Sequence, residues 1–71
     1  LKPDESDRLY RLAEVFARAV DLTGDPESAR RWLTGPVRAV GHRAPLDLID
    51  TAAGTRLVLD VIGRLEHGVF T

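Results

Sequence analysis

The histidine and cysteine side chains that could coordinate a transition metal are few and widely spaced in this sequence. The histidines are His42 and His67, and neither has a second candidate histidine or cysteine ligand three or four residues away. A zinc site needs three or four ligands at fixed geometry, and the chain contains no cysteine that could supply a thiolate. We therefore expect neither a metal site nor a bound cofactor.

The residues that could perform nucleophilic or acid–base chemistry also lack the partners that such chemistry needs. A catalytic serine requires an adjacent base and an orienting group, whereas Ser6 and Ser28 lie at expected helix starts, where capping accounts for them. Asp47 and Asp50 form a carboxylate pair, but on a short helix we interpret them as caps or surface charges. The glycines do not form a phosphate-binding loop, and so short a chain has little room for a pocket of about 300 Å³ or more. We expect that this protein is not an enzyme.

Positive charge is concentrated between residues 30 and 43, a stretch with no acidic residue that contains Arg30, Arg31, Arg38, His42 and Arg43. Two interpretations stay open. The stretch is either a patch that faces phosphate, nucleic acid or an acidic partner, or a solvated face whose arginines pair with acids of the first helix. Because the formal net charge of the whole chain is −1, DNA recognition by this piece alone would be weak.

Helical periodicity and capping residues predict the elements that position these side chains. A first amphipathic helix extends from the acidic caps of residues 4–7 to Leu22 and ends at Gly24. A second helix begins with Asp25 as N-cap and Pro26 at its first position, and it ends at Gly35-Pro36. Trp32 is interpreted as a core anchor of this second helix in preference to a binding residue. The apolar stripe of the first helix consists of Leu9, Leu12, Ala13, Phe16, Ala19 and Val20.

The middle of the chain predicts short helical turns in place of strands. Pro36 starts one turn through Val37 and Val40, and Pro45 starts another over residues 46–49. No segment alternates apolar and polar residues for long enough to predict a strand. We therefore expect an all-α fold of one domain, residues 1–71. It is a small bundle of four to five helices with a long C-terminal helix and a short apolar tail.

The C-terminal helix is expected between Thr51 as N-cap and Gly68 as the left-handed residue that follows it. Its apolar residues span an arc of about 200°, compared with a little over 100° for an ordinary surface helix. They are Leu57, Val58, Leu59, Val61, Ile62 and Leu65. Arg56, Asp60 and Arg64 lie opposite, at a spacing that suits two ion pairs. Either the rest of the chain surrounds this helix or a partner covers the surplus, and the apolar tail Val69-Phe70-Thr71 favours a partner.

The composition limits the class of protein. With 71 residues, 44% of them hydrophobic and 30% charged, the chain is a folded domain with a marginal core. It has no apolar run of about 20 residues and no signal-peptide pattern, so we expect a cytoplasmic protein without membrane association. Because the sequence begins without methionine, we also expect a fragment or a trimmed product.

The motifs, taken in order, resemble a known family. They are Gly24-Asp25-Pro26-Glu27-Ser28-Ala29, Trp32-Leu33, Pro36 with Ala39-Val40-Gly41, Ala44-Pro45-Leu46-Asp47-Leu48-Ile49, Thr51 with Gly54, and Arg64-Leu65-Glu66-His67-Gly68-Val69-Phe70. Over residues 8–71 this order resembles the C-terminal toxin-binding domain of Xre/MbcA/ParS-type antitoxins. The sequence departs from the family pattern at Val40 and His42.

The resemblance implies an antitoxin of a type II toxin–antitoxin system that binds and neutralises a RES-domain toxin. Such toxins use NAD, either by degrading it or by transferring its ADP-ribose to a target. In family members the C-terminal end of the antitoxin lies against the active-site cleft of the toxin and blocks access. The implied toxin-binding residues here are Pro45, Leu46, Asp47, Leu48, Thr51, Gly54, Leu57, Arg64, Glu66, His67, Gly68, Val69, Phe70 and Thr71.

The resemblance also bears on DNA and on assembly. We expect the N-terminal helix-turn-helix region of such antitoxins to be missing here, so DNA would be bound only through that missing region. A homodimer within a larger toxin–antitoxin complex is compatible with the resemblance. The alternative function is a DNA-binding or dimerisation module of a transcription regulator. That alternative predicts salt-dependent operator binding that is lost when Arg30, Arg31 and Arg38 are replaced.

Overall fold

The computed structural model describes residues 3–68, with side chains from residue 5 onward, as α-helices joined by short 3₁₀ turns. The expectation of an all-α fold is confirmed, but within this range there are three α-helices and not four to five. The elements in chain order are α1 (Pro3–Thr23), α2 (Pro26–Thr34), a first 3₁₀ turn (Arg38–Val40), a second 3₁₀ turn (Pro45–Leu48) and α3 (Ala52–Glu66).

The difference in helix count arises in the middle segment, in the turns that follow Pro36 and Pro45. The turns predicted after Pro36 and Pro45 are present, but they are 3₁₀ turns of three and four residues. A run this short gains too few hydrogen bonds to offset the cost of starting an α-helix. The segment closes on itself instead, because the Val37 N–H donates to the Arg43 carbonyl at 3.0 Å.

The first helix is longer at its start than the sequence indicated. Residues 4–7, which we expected to cap it, lie inside its first turns, since α1 already includes Pro3. Its end is where we predicted it, because Gly24 has φ +98° and its N–H donates to the Val20 carbonyl at 2.7 Å. With 21 residues α1 is longer than the 15-residue α3, and it packs against both α2 and α3.

The core lies where the three helices and the segment before α3 meet. The predicted stripe of α1 was partly wrong, because Leu9 is 54% exposed and Ala13 is exposed, whereas Val15 is fully buried. The apolar arc of α1 is wider than the part that α2 and α3 cover, and periodicity alone does not say which part that is. Trp32 is half-buried and packs against the core, whose buried residues are Val15, Ala19, Ala29, Leu33, Ile49, Val58 and Ile62.

Both predicted ends of α3 are confirmed. The Thr51 hydroxyl accepts a hydrogen bond from the Gly54 N–H at 2.9 Å, and Gly68 has φ +67°. The chain itself buries much of the α3 apolar face, since Val58, Val61 and Ile62 are all buried. The expected ion pairs along its outer face, among Arg56, Asp60 and Arg64, do not form, so the charges on that face remain solvated.

The start of α3 is packed tightly against the segment that precedes it. A Cβ atom at Gly54 would overlap the Leu48 carbonyl group, so the backbones can approach this closely only because position 54 is glycine. Thr55 is buried, and its hydroxyl donates to the Thr51 carbonyl at 2.9 Å. Arg11 of α1 donates to the carbonyls of Ile49 at 2.8 Å and Asp50 at 3.2 Å, which ties α1 to the same segment.

Candidate partner-binding surfaces

The C-terminal end of α3 presents an exposed, well-capped turn. The His67 N–H donates to the Gly63 carbonyl at 3.1 Å, and the Gly68 N–H donates to the Leu65 carbonyl at 3.2 Å. Arg64, Glu66 and His67 are exposed around this turn. The predicted residues Val69, Phe70 and Thr71 lie outside the described residues. Four of the predicted site residues, Arg64, Glu66, His67 and Gly68, therefore share this end of α3.

An ion pair between α1 and α3 holds this end in place. Arg18 Nη2 lies 2.9 Å from Glu66 Oε1, and the two side chains are 40% and 28% exposed. Arg18 passes over Gly63, where a Cβ atom would lie 3.9 Å from its Nη2. Sequence reasoning missed this contact, because the two residues are far apart along the chain and no fixed spacing signals such a pair. Arg18 therefore belongs with the residues that shape the candidate site.

An open cleft of about 600 Å³ lies beside this ion pair, between α1 and α3, and is lined by Arg18, Leu59, Asp60, Gly63, Arg64 and His67. Its walls carry charges of both signs over a small apolar floor. Such a surface can accept a polar or amphipathic segment of a protein. Neither serine nor threonine is among the described residues that line this cleft.

The second group of predicted site residues lies at the opposite end of α3, and the structure gives most of them a role in the fold. Pro45 is buried, while Leu46 and Leu48 are half-buried and pack against the core. Thr51 caps α3 and Gly54 permits its close approach. Asp47 and Leu57 remain exposed, Leu57 to 43%. Because a 15-residue helix is about 20 Å long, the two groups do not form a single pocket.

A third surface, on α1, was not predicted. An apolar groove of about 450 Å³ lies between α1, α2 and the second 3₁₀ turn. Leu9, which lines the groove, is 54% exposed, and Tyr10 next to it in sequence is 67% exposed. In the sequence, the signal for this groove was the apolar stripe of the first helix, all of which we had assigned to the core. The groove is lined by Leu9, Leu12, Ala13, Phe16, Arg30, Leu33, Thr34 and Leu46.

The basic stretch does not pair with the first helix. The ion pairs found among residues 5–68 are Arg8–Asp50 at 2.8 Å, Arg18–Glu66, and Arg30–Glu27 at 3.0 Å. The interpretation that acids of the first helix neutralise the basic stretch is therefore wrong for these residues. Arg30 pairs within its own helix, and the other cations of the stretch remain exposed.

The electrostatics of the described side chains point to helix capping. The backbone N–H of Ser28 donates to the Asp25 carboxylate at 2.8 Å and its hydroxyl at 2.9 Å, and these bonds hold the pKa of Asp25 below its ordinary value. Asp25 is the N-cap of α2, so the shift reflects its capping role. Residues 5–68 bring together no group of three or more potential metal ligands. No helix among them has the length and apolarity that crossing a bilayer requires.

Comparison with known proteins identifies the family. Residues 18–68 match the model described as the antitoxin Xre/MbcA/ParS C-terminal toxin-binding domain. The "Antitoxin Xre" of Yersinia enterocolitica is 47% identical over 70 residues, which is 97% of this chain and 47% of that protein. The protein of the same name from Photorhabdus laumondii is 42% identical over 93% of this chain and 45% of its own length.

A more distant relative adds a second name. The "Prs ADP-ribosylating antitoxin" of a Sphingobium species is 28% identical, over 99% of this chain and 50% of that protein. The chain thus spans about half the length of the curated relatives it matches. The match of the family model and the identity to the Yersinia protein agree with the resemblance seen in the motifs. The chain belongs to the Xre/MbcA/ParS antitoxin family, and residues 18–68 are its C-terminal toxin-binding domain.

Proposed function

We propose that this chain is the toxin-binding part of an antitoxin that neutralises an NAD-consuming RES-domain toxin in the cytoplasm. Membership of the toxin-binding family supports a protein toxin as the partner. The RES class comes from the resemblance of the motifs, taken in combination over residues 8–71, to antitoxins of this family. The name of the Sphingobium relative includes ADP-ribosylation, an NAD-dependent reaction, which supports the use of NAD by the toxin. The chain itself performs no chemistry in this proposal.

The mechanism is steric occupancy of the toxin's active-site cleft by the segment that follows α3. The observation that carries it is the fixed end of α3, where Glu66 is held by Arg18 and Gly68 turns the chain out of the helix. A segment leaving a rigid support loses less conformational entropy on binding than one leaving a frayed helix. Exposed Arg64 and His67 can contact the rim of the cleft.

Removal of residues 69–71 tests this mechanism. We expect the shortened antitoxin still to bind the toxin, because α3 and its neighbours are unchanged, but to release NAD consumption. Binding is measured by co-purification and activity by loss of NAD. A control variant with Val69 and Phe70 both replaced by serine keeps the length and removes the apolar contacts. If the shortened chain inhibits as well as the intact one, occlusion by the tail is wrong.

The alternative, a DNA-binding module, keeps one supporting observation, which is the exposed basic stretch. It requires binding of operator DNA by these 71 residues that weakens steeply with salt. A gel-shift assay at two salt concentrations checks this, with Arg31→Gln and Arg38→Gln as variants. We expect no shifted band, and a salt-sensitive band that both variants abolish would favour the alternative.

We further propose that a second copy of the chain covers the groove on α1. Leu9, Tyr10, Ala13, Phe16 and Ala17 share this side of the helix, and no charged residue of α1 lies among them. A two-fold contact places a surface against itself. The α1 side of this surface is uncharged and meets no like-charge repulsion, and Arg30, which also lines the groove, is paired with Glu27. These five residues precede residues 18–68, the stretch that matches the toxin-binding family, whereas the α2 side of the groove lies within that stretch.

A further inference from the structure

A compact basic loop follows α2. It consists of residues 37–43, and its backbone is held by two hydrogen bonds across its base. The Val37 N–H donates to the Arg43 carbonyl at 3.0 Å, and the His42 N–H donates to the Val37 carbonyl at 2.9 Å. Arg38, His42 and Arg43 are all exposed on this loop. Their side chains therefore leave one small, internally bonded unit.

The turn of the loop has an unusual backbone. Gly41 has φ +74°, and His42 follows it with φ +63°, so two consecutive residues are left-handed. The second is not glycine, although glycine would enter this region without the steric penalty of a side chain. A non-glycine residue in this region is a recognised indicator of functional constraint. The loop thus keeps an imidazole next to Arg43 at a position where the backbone conformation would favour glycine.

The arginines of this loop have no carboxylate neighbour within the described part of the chain. Arg38 and Arg43 take part in none of the ion pairs found among residues 5–68. The loop and its flanks are basic while the whole chain has a formal charge of −1, so the remaining residues carry net negative charge. The excess positive charge is therefore local to the loop and its flanks, which suits a partner with an equally local negative patch.

We propose that the basic loop docks against an acidic surface of the protein partner, formed by Asp and Glu side chains. This proposal rests on the proposed function, since the loop lies within the stretch that matches the toxin-binding domain. Arginine pairs with carboxylates through two parallel hydrogen bonds, so a rigid loop can set orientation as well as attraction. An extended polyanion such as DNA would also meet the acidic remainder of the chain, which favours a protein partner.

The test compares three single substitutions in the antitoxin, Arg38→Gln, Arg43→Gln and Arg56→Gln. Arg56 is the matched control, because it is an exposed arginine of α3 that forms no ion pair among the described residues. The association rate with the purified toxin is measured at low and at high salt. We expect the two loop variants to associate about three- to tenfold more slowly at low salt, with little change at high salt and little effect of Arg56→Gln.

The outcomes separate this proposal from the one on which it rests. Binding by the unaltered chain with equal effects of all three variants would overturn the loop proposal and leave the toxin partner in place. Binding by the unaltered chain that does not depend on salt would do the same. If the unaltered chain does not bind the toxin, both proposals fail. Salt-sensitive DNA binding lost in Arg38→Gln would replace the acidic protein by nucleic acid.

Discussion

Gly54 is the residue whose replacement the structure penalises most clearly. Its backbone lies against the Leu48 carbonyl, where any Cβ atom would overlap, so we expect Gly54→Ala to lower the free energy of unfolding by about 1–3 kcal/mol. Gly63→Ala is the matched control, because a Cβ atom there meets only ordinary contact with Arg18. That control should raise stability by about 0.5–1 kcal/mol through helix propensity. Urea unfolding measures both, and equal effects would contradict the close approach.

Asp25 gives the fold a defined dependence on pH. The backbone N–H of Ser28, and then its hydroxyl, keep the pKa of this carboxylate below 3.8 in the folded chain. The ionised cap therefore stabilises the fold above that pH, and this contribution is lost as the pH falls through the folded-state pKa. Asp25→Asn keeps a capping oxygen, so we expect it to be less stable than the intact chain at neutral pH and equally stable in strong acid. A difference in unfolding midpoint that does not change with pH would contradict this.

Single residues were predicted best where the signal is local. Asp25, Thr51 and Gly68 cap helices as expected, because a cap depends on the few residues beside it. The close approach at Gly54 could be recognised only as a family motif, since it depends on where Leu48 folds back. The capping residues thus follow from the sequence, whereas the reason for this glycine needs the structure.

At the scale of elements, α1 supports the end of α3 that we propose to face the toxin. Exposed ion pairs contribute about 0.2–1 kcal/mol, so we expect Arg18→Gln to weaken inhibition of the toxin about two- to fivefold. Hydrogen exchange at the His67 and Gly68 amides should become faster at the same time. Restoring the pair with opposite charges, as Arg18→Glu with Glu66→Arg, should recover part of the inhibition.

Arg8→Gln is the control for this prediction, because it removes a similar ion pair, Arg8–Asp50, at the far end of α3. We expect it to leave exchange at Gly68 unchanged. Equal loss of inhibition in both variants would show that the Arg18 pair acts only through general stability.

The elements themselves show what periodicity can and cannot predict. All three helices were expected near their observed bounds, but the two proline-started segments are single 3₁₀ turns. The stripe of α1 was placed partly on its exposed side, and Val15 was missed. A repeat of apolar residues marks which side of a helix is apolar, whereas the neighbours decide how much of that side is buried. Those neighbours are distant along the chain, so the spacing of residues within one helix does not identify them.

At the scale of the whole molecule, two of the three large hydrophobic residues that are exposed in the described part of the chain, Leu9 and Tyr10, lie on α1. We had expected the surplus on α3, but Val58, Val61 and Ile62 are buried by the chain itself, and Leu57 is the large hydrophobic residue exposed there. A chain of 71 residues has little core to spare, so partners that cover such surface add directly to its stability. Because α1 exposes more large hydrophobic residues than α3, we consider α1 a better candidate for self-association than for binding the toxin.

Substitution of Leu9 tests that assignment. Leu9 is 54% exposed, so Leu9→Glu should leave the monomer folded while placing a charge in the two-fold contact. We expect the dimer to dissociate about tenfold more readily, since burying an unpaired carboxylate costs more than about 1.4 kcal/mol. Leu57→Glu on α3 is the matched control and should not alter dimerisation. Analytical ultracentrifugation of both variants measures this, and an intact chain that stays monomeric at high concentration would contradict it.

Arg11 connects the apolar groove on α1 with α3, whose C-terminal end we propose to face the toxin. It lies on α1 beside Tyr10, and its guanidinium donates hydrogen bonds to the Ile49 and Asp50 carbonyls just before α3 begins. If a second copy shifted or rotated α1, the Arg11 side chain would move, and its hydrogen bonds would shift the segment just before α3. The proposed dimer contact and the proposed toxin contact are therefore joined by Arg11, together with the Arg8–Asp50 and Arg18–Glu66 pairs, so a variant of one contact should also be measured for the other.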